Sequence, residues 1–301
     1  MLQGGRVQPF RAWPCLYLES ATGSFPMRLS PRTSRALAAL ALLALSAGRL
    51  TAQRISDDRE WELRCSRNWG DRDTERVCSI TETTIAARGG VLNVDGRTNG
   101  GVNVIGSGRR DILVRAMIEA NARSESRAEE IAKEIRVHTD GGRIYAEGPE
   151  TRGREWWSVT FEIHVPTRSD LDLRAQNGGI GVAGVSGTLR METMNGGIHL
   201  DAVNGDVVAE TTNGGLHVDL DGDRWEGKGL DATTTNGGVR LRLPSGYSAH
   251  LETGTVNGGV DIDFPVTVQG RIGRRITTDL GRGGATIRLI TTNGGVDVRR
   301  R

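Results

Sequence analysis

Apolar and polar residues alternate through the C-terminal half of this chain in a pattern that repeats. Asn-Gly-Gly occurs at Asn177, Asn195, Asn213, Asn236, Asn257 and Asn293, with an earlier copy at Asn99. Weaker turns, Ser186-Gly187, Asn204-Gly205 and Ser245-Gly246, each fall nine residues after an Asn-Gly-Gly. Counted from the first turn residue n, position n+3 is Ile180, Leu189, Ile198, Val207, Leu216, Val239, Val260 and Val296. Position n+5 is Val182, Met191, Leu200, Ala209, Val218, Leu241, Ile262 and Val298, and position n+6 is mainly charged. Such a period of two predicts short strands with one buried and one wet face. The unit at Ser245 departs: its apolar residues are Tyr247, Ala249 and Leu251, which predicts a one-residue slip or a bulge.

One short strand cannot bury its apolar face alone. The pattern therefore predicts an all-β fold, a β-solenoid or β-helix of nine-residue half-coils. Two half-coils make an 18-residue coil, and coils stack through parallel pairing about 4.8 Å apart. Asn and Gly are expected at the corners because both tolerate left-handed φ, and stacked Asn side chains are expected to hydrogen-bond from coil to coil. Spacings of 23 residues after Asn213 and 21 after Asn236 place insertions in corner loops. Asn-Gly between alternating strands is also a hairpin signal. A meander of hairpins would, however, leave one long apolar face uncovered.

Upstream, residues 85–108 contain two strand-like pieces, and Asp111–Ala120 reads as another strand. One helix follows at 124–136. Ala128, Ile131, Ala132 and Ile135 share a helical face, Ser126 and Glu129 are spaced as a capping box, and Glu129 and Lys133 form an i,i+4 pair. It is expected to pack near the N-terminal part and cover an end of the sheet. Trp157, Val159, Phe161, Ile163 and Val165 then alternate as a half-buried strand that ends at Pro166.

The N-terminus changes the picture of charge and compartment. Ala36–Leu45 is an unbroken apolar run preceded by Arg28, Arg32 and Arg35, the layout of a secretory leader. Residues 1–52 read as that leader, with Met27 as the candidate start; cleavage after Ala52 has rivals at Ser46 and Gly48, and an uncleaved N-terminal anchor is the alternative. The run is too short to span a bilayer, which needs about 20 residues, so no transmembrane span is expected in the mature chain. Residues 1–53 carry six Arg and one Glu, so their removal turns the formal charge of +2 slightly negative. No basic patch for nucleic acid survives. Cys65 and Cys78 remain as an even pair in the segment 53–84, and in an oxidising compartment they predict a disulfide. A metal or redox pair is the alternative, with no second Cys or His pair at ligand spacing. Trp61 and Trp69 are candidate packing anchors.

Several segments carry a resemblance. These are the helix with its flanking strands (SRAEEIAKEIRVHTDGGRIYAEG), the strand ending in Pro (SVTFEIHVPTRSDLDLRAQNGGI), the T-x-N-G-G-[ILV] repeats and the late Gly-rich turn with its last repeat (GRGGATIRLITTNGGVDV). In this order they resemble the bacterial putative-adhesin family, domain of unknown function 4097, over most of residues 85–301. The resemblance implies an exported β-solenoid at the cell envelope, with no established activity and no known catalytic residues.

Candidate chemistry is sparse. His199, Asp201, His217 and Asp219 sit at n+4 and n+6 of units one coil apart, so they are expected to stack outward, where such a set can bind Zn²⁺. A solvated polar ladder is the plainer reading. Rows of Asp and Glu could suggest a carbohydrate-active β-helix enzyme, but no carboxylate pair is singled out at glycosidase separation. His138, His164 and His250 stand isolated, and no Ser or glycine loop has nucleophile-elbow or phosphate-loop context. The sequence thus predicts an exported, non-catalytic repeat protein without cofactor, periplasmic or extracellular, acting as an adhesin-like or structural module. Its partner would be an envelope protein, a glycan or its own copies. An envelope-sensing accessory role is a further alternative.

Overall fold

The computed structural model describes residues 61–66, 73–263 and 274–301. The leader, the start at Met27, the cleavage site and Trp69 lie outside the described residues. Among the described residues the fold is all-β with few helices, built on two ten-stranded sheets.

The first sheet runs, in spatial order, through β1 (Glu75–Ala86), β4 (Asp111–Ala122), β7 (Trp156–Pro166), β3 (Val102–Ser107), β9 (Ile180–Ala183), β11 (Ile198–Asp201), β13 (Leu216–Asp219), β15 (Val239–Leu243), β20 (Val296–Arg300) and β17 (Val260–Ile262). The second runs through β5 (Arg136–His138), β6 (Arg143–Glu147), β2 (Val91–Asp95), β8 (Asp170–Ala175), β10 (Ser186–Thr193), β12 (Asn204–Asn213), β14 (Gly229–Asn236), β19 (Thr286–Asn293), β16 (Ala249–Asn257) and β18 (Arg275–Leu280). The strands of the repeat region pair in parallel; Ser186 faces Asn204 and Ile198 faces Leu216. The n+3 and n+5 columns of both sheets meet in one apolar cluster, with Leu189, Leu200, Leu216 and Leu241 wholly buried. Val260 and Ile262, on the edge strand, are only half-buried.

Spatial order departs from chain order at both ends. β19 and β20 lie between the β14/β15 layer and the β16/β17 layer, although they follow both in sequence. At the other end, β2 and β3 lie between β6/β7 and β8/β9, although they precede all four. Each terminal repeat is therefore tucked inside a layer formed by residues nearer the middle of the chain. Antiparallel strands stand at one end of the first sheet, β1 and β4, and at both ends of the second, β5 and β18; the other edge of the first sheet is the parallel strand β17.

The helix α1 (Glu125–Glu134) packs against β4 and β1 and buries Ala128 and Ile131, covering that end of the core. Its N-cap is Ser124, whose side chain accepts from the Arg127 N–H, rather than Ser126. Glu129 and Lys133 do pair, at 3.3 Å.

The Asn-Gly-Gly corners hold glycine for a reason other than left-handed φ, which among the repeat's corner glycines only Gly205 of a weaker corner adopts. None of the Asn-Gly-Gly glycines is among the positive-φ residues. Instead, a Cβ on the first glycine of a corner would strike the backbone of the neighbouring coil: on Gly178 it would lie 2.0 Å from the Gly100 carbonyl oxygen, and on Gly214 2.0 Å from that of Gly196. Coils stacked at sheet spacing leave no room for a methyl there. At the corners of Asn195, Asn213, Asn236, Asn257 and Asn293 the residue two before the Asn is a buried threonine that donates to a corner carbonyl of the adjacent coil, as Thr193 does to Gly178 (2.8 Å) and Thr211 to Gly196 (2.7 Å).

Both insertions lie in loops, and each adds a buried aromatic residue to the main core. Trp225 is buried and its indole N–H donates to the Gly205 carbonyl at 3.0 Å. At Ser245 there is no slip within a strand. A longer loop precedes β16, buries Tyr247 and brings Leu251 into register with Ile287. Burial and the nearby Asp223 and Glu226 push the Tyr247 phenol up.

Candidate interaction face

The corner asparagines form a ladder. Asn177 donates to Asn99 (3.3 Å), Asn195 to Asn177, Asn213 to Asn195, Asn236 to Asn213, Asn293 to Asn236 and Asn257 to Asn293, the last five all at 2.8 Å. Every bond runs in the same direction. Because the ladder follows spatial order, Asn293 stands between Asn236 and Asn257. The side chains are exposed, so each carboxamide keeps one N–H and one acceptor position for solvent or a partner.

Beside the ladder, the outer face of the first sheet carries charged rows. His199 pairs in register with His217, and Asp201 with Asp219. The two rings meet edge to face with centroids 6.1 Å apart. Asp219 lies 3.7 Å from His199 Nε2 and 4.0 Å from Arg242 Nε. Burial, then the neighbouring Arg240 and His199, lower the His217 pKa. Among the described residues, no three His, Cys, Asp or Glu side chains are placed together to hold a metal ion. Farther along, Arg240 reaches Asp297 (3.3 Å) and Arg299 reaches Asp261 (2.6 Å), clasping the inserted β20 from both sides. A trough of about 480 Å³ runs here, floored by Gly215, Gly238, Gly259 and Gly295.

At the other end of the same face lies a buried group that sequence reasoning set aside. Arg115 Nη1 donates to Glu162 Oε1 at 3.0 Å, and His164 Nε2 lies 3.0 Å from the same oxygen. Burial raises the Glu162 carboxyl, but the hydrogen bonds from His164 and Arg115 outweigh it and hold the group below its ordinary value. Arg115 lies under the ring of buried Trp61, 5.1 Å from its centroid. A disulfide between Cys65 and Cys78 fastens the helical residues 61–66 to β1. His164 was legible only as a lone histidine, because the antiparallel register that brings Arg115 opposite Glu162 leaves no repeat in the sequence.

A second opening, of about 810 Å³, lies at the side of the core near β1, β2 and the ends of β4 and β7. Among the described residues, no helix is long and apolar enough to cross a membrane.

No curated protein matches the chain. Among solved structures, it is similar to a putative cell adhesion protein from Clostridium sporogenes (9% identity, TM-score 0.40), covering 74% of this chain and 100% of that one. It is also similar to a putative adhesin from Bacteroides fragilis (10% identity, TM-score 0.34, covering 74% and 97%) and to one from Parabacteroides merdae (8% identity, TM-score 0.32, covering 74% and 96%). The family model described as Toastrack DUF4097 matches residues 162–299, the stretch from the buried Glu162 through the last rung of the ladder. Over these residues the chain matches the family that its repeats resemble.

Proposed function

We propose that this is an exported, non-catalytic interaction module of the cell envelope, adhesin-like in action, built from nine-residue half-coils. The observation that carries the reading is the ladder: an exposed row of carboxamides held in one direction through successive coils, beside a flat charged face. Such a surface is rigid before any partner arrives, so binding loses little side-chain entropy. The Cys65–Cys78 disulfide supports export, since such bonds persist in oxidising compartments. The partner expected is an envelope protein or a glycan. Capture experiments with the exported chain against envelope proteins and a glycan array test this. A specific, saturable partner whose binding falls at least tenfold on replacing Asn195 and Asn213 by Ala is the expected result. Absence of any saturable partner, or a partner insensitive to these changes, overturns the reading.

A further inference from the structure

The side of the core is sealed in most coils by the residue that precedes the weak corner. Val185, Val203, Leu220 and Leu243 are all buried there, where the chain crosses from the first sheet to the second. At the N-terminal end the crossing out of β3 is missing, and the chain reaches the second sheet from the edge strand β1 instead. After β3 the chain turns through residues 108–110 into β4 of the same sheet, and β2 is entered from β1 through Gly89-Gly90. No residue following β3 seals the side here, and a cleft of about 810 Å³, walled by the β1–β2 connection, reaches the core at that point.

Its floor is apolar: Ile85, Leu92, Ile112 and Val165 line it, and Val91 is 49% exposed, one of the few large apolar side chains left to solvent among the described residues. Its rim is polar and bare. The glycine pairs 89–90 and 141–142 bound it at positive φ, with open space around Gly89, Gly90 and Gly141. Arg88 and Arg168 line the mouth, both exposed, and neither guanidinium has an ion pair among the described residues. Of the two carboxylates in the lining, Asp170 accepts from the Thr188 N–H at 2.7 Å; Asp140 stands on the loop of the opposite rim.

A recess of this size, apolar at its floor and polar at its rim, falls within the range of small-molecule sites, about 300–1,000 Å³. Two guanidiniums at its mouth match a carboxylate or phosphate. We propose that the cleft binds a single-chain anionic amphiphile, with its hydrocarbon tail against Val91, Leu92 and Ile112 and its anionic head at Arg88 and Arg168. The site lies apart from the ladder and does not depend on the role given to it.

Calorimetric titration of the full chain with laurate, myristate and palmitate, each below its micelle concentration, tests this. Acetate and inorganic phosphate serve as heads without tails. The expected result is one saturable site whose affinity rises about threefold to fourfold per added methylene, the equilibrium equivalent of one buried CH₂. Arg88→Gln/Arg168→Gln should weaken palmitate at least tenfold while keeping the chain-length dependence. Val91→Asp, at a half-exposed position where folding is preserved, should abolish uptake. Binding of phosphate alone, affinity indifferent to tail length, or variants that bind like the parent would each overturn the proposal. Dimerisation lost in Val91→Asp, without palmitate uptake, would assign the cleft to a second copy and overturn it as well.

Discussion

The two glycines of an Asn-Gly-Gly corner look equivalent in sequence and are not equivalent in space. The first faces a carbonyl 2.0–2.1 Å from where its Cβ would stand, as at Gly196 and Gly214, whereas a Cβ on Gly238 would sit 3.5 Å from its nearest neighbour, an ordinary contact. Gly214→Ala should therefore cost about 4 kcal/mol or prevent folding, and Gly238→Ala should stay within about 0.5 kcal/mol of the parent, by urea denaturation. Ala202 carries the opposite error. It sits at φ 50°, beside Gly184 at φ 64° in the preceding coil. Ala202→Gly should raise stability by about 0.5–1 kcal/mol, because left-handed φ costs an alanine about 1–2 kcal/mol and a glycine little. The outward histidines give a third test. With Asp219 beside Arg242 and no third ligand in place, Zn²⁺ should shift the melting temperature of the parent no more than that of His199→Ala/His217→Ala. A saturable shift lost in the double variant would make the ladder a metal site.

Elements with a local hydrophobic period were legible in the sequence; contacts that depend on strand register were not. The n+3 and n+5 columns, the outward His and Asp rows and the covering helix all follow from periodicity, which local side-chain direction enforces. Left-handed φ was a wrong inference for the Asn-Gly-Gly corners, though Gly205 of a weaker corner does adopt it, because glycine was read through its own dihedrals and not through the carbonyl of the next coil. The Arg115–Glu162–His164 group lay beyond reach because it depends on the register of β4 against β7. That group makes a pH prediction. Its carboxyl is held below the ordinary value of 4.5, so its stabilisation is complete above that value and fades as pH falls through the lower folded value. Glu162→Gln should lower the melting temperature at pH 7 and flatten its fall between pH 5 and 3; identical acid limbs in the two proteins would refute this.

In the whole molecule, the Asn ladder and the ion pairs at Asp297 and Asp261 cross the joint where the C-terminal repeat enters the stack. Sequence order alone gave no hint of this, since each repeat unit carries the same apolar columns and fits any layer. Deleting residues 285–301 should leave the layers on either side without a partner and yield aggregated or non-cooperatively melting protein. Deleting residues 195–212 removes one full coil and rejoins Met194 to Asn213 in register. It should give a soluble protein that melts cooperatively, only somewhat lower. Equal damage from the two deletions, by calorimetry, would show that the interleaved ends carry no special weight.

The interleaving also bears on how such a chain changes length over generations. A duplicated repeat appended at the C-terminus would meet a layer already occupied, and one prepended at the N-terminus would meet the same obstacle. Tandem duplication between Asn177 and Asn236 meets none, since every layer there follows its predecessor. Relatives of different length are thus expected to keep both ends and to gain or lose whole coils from the interior.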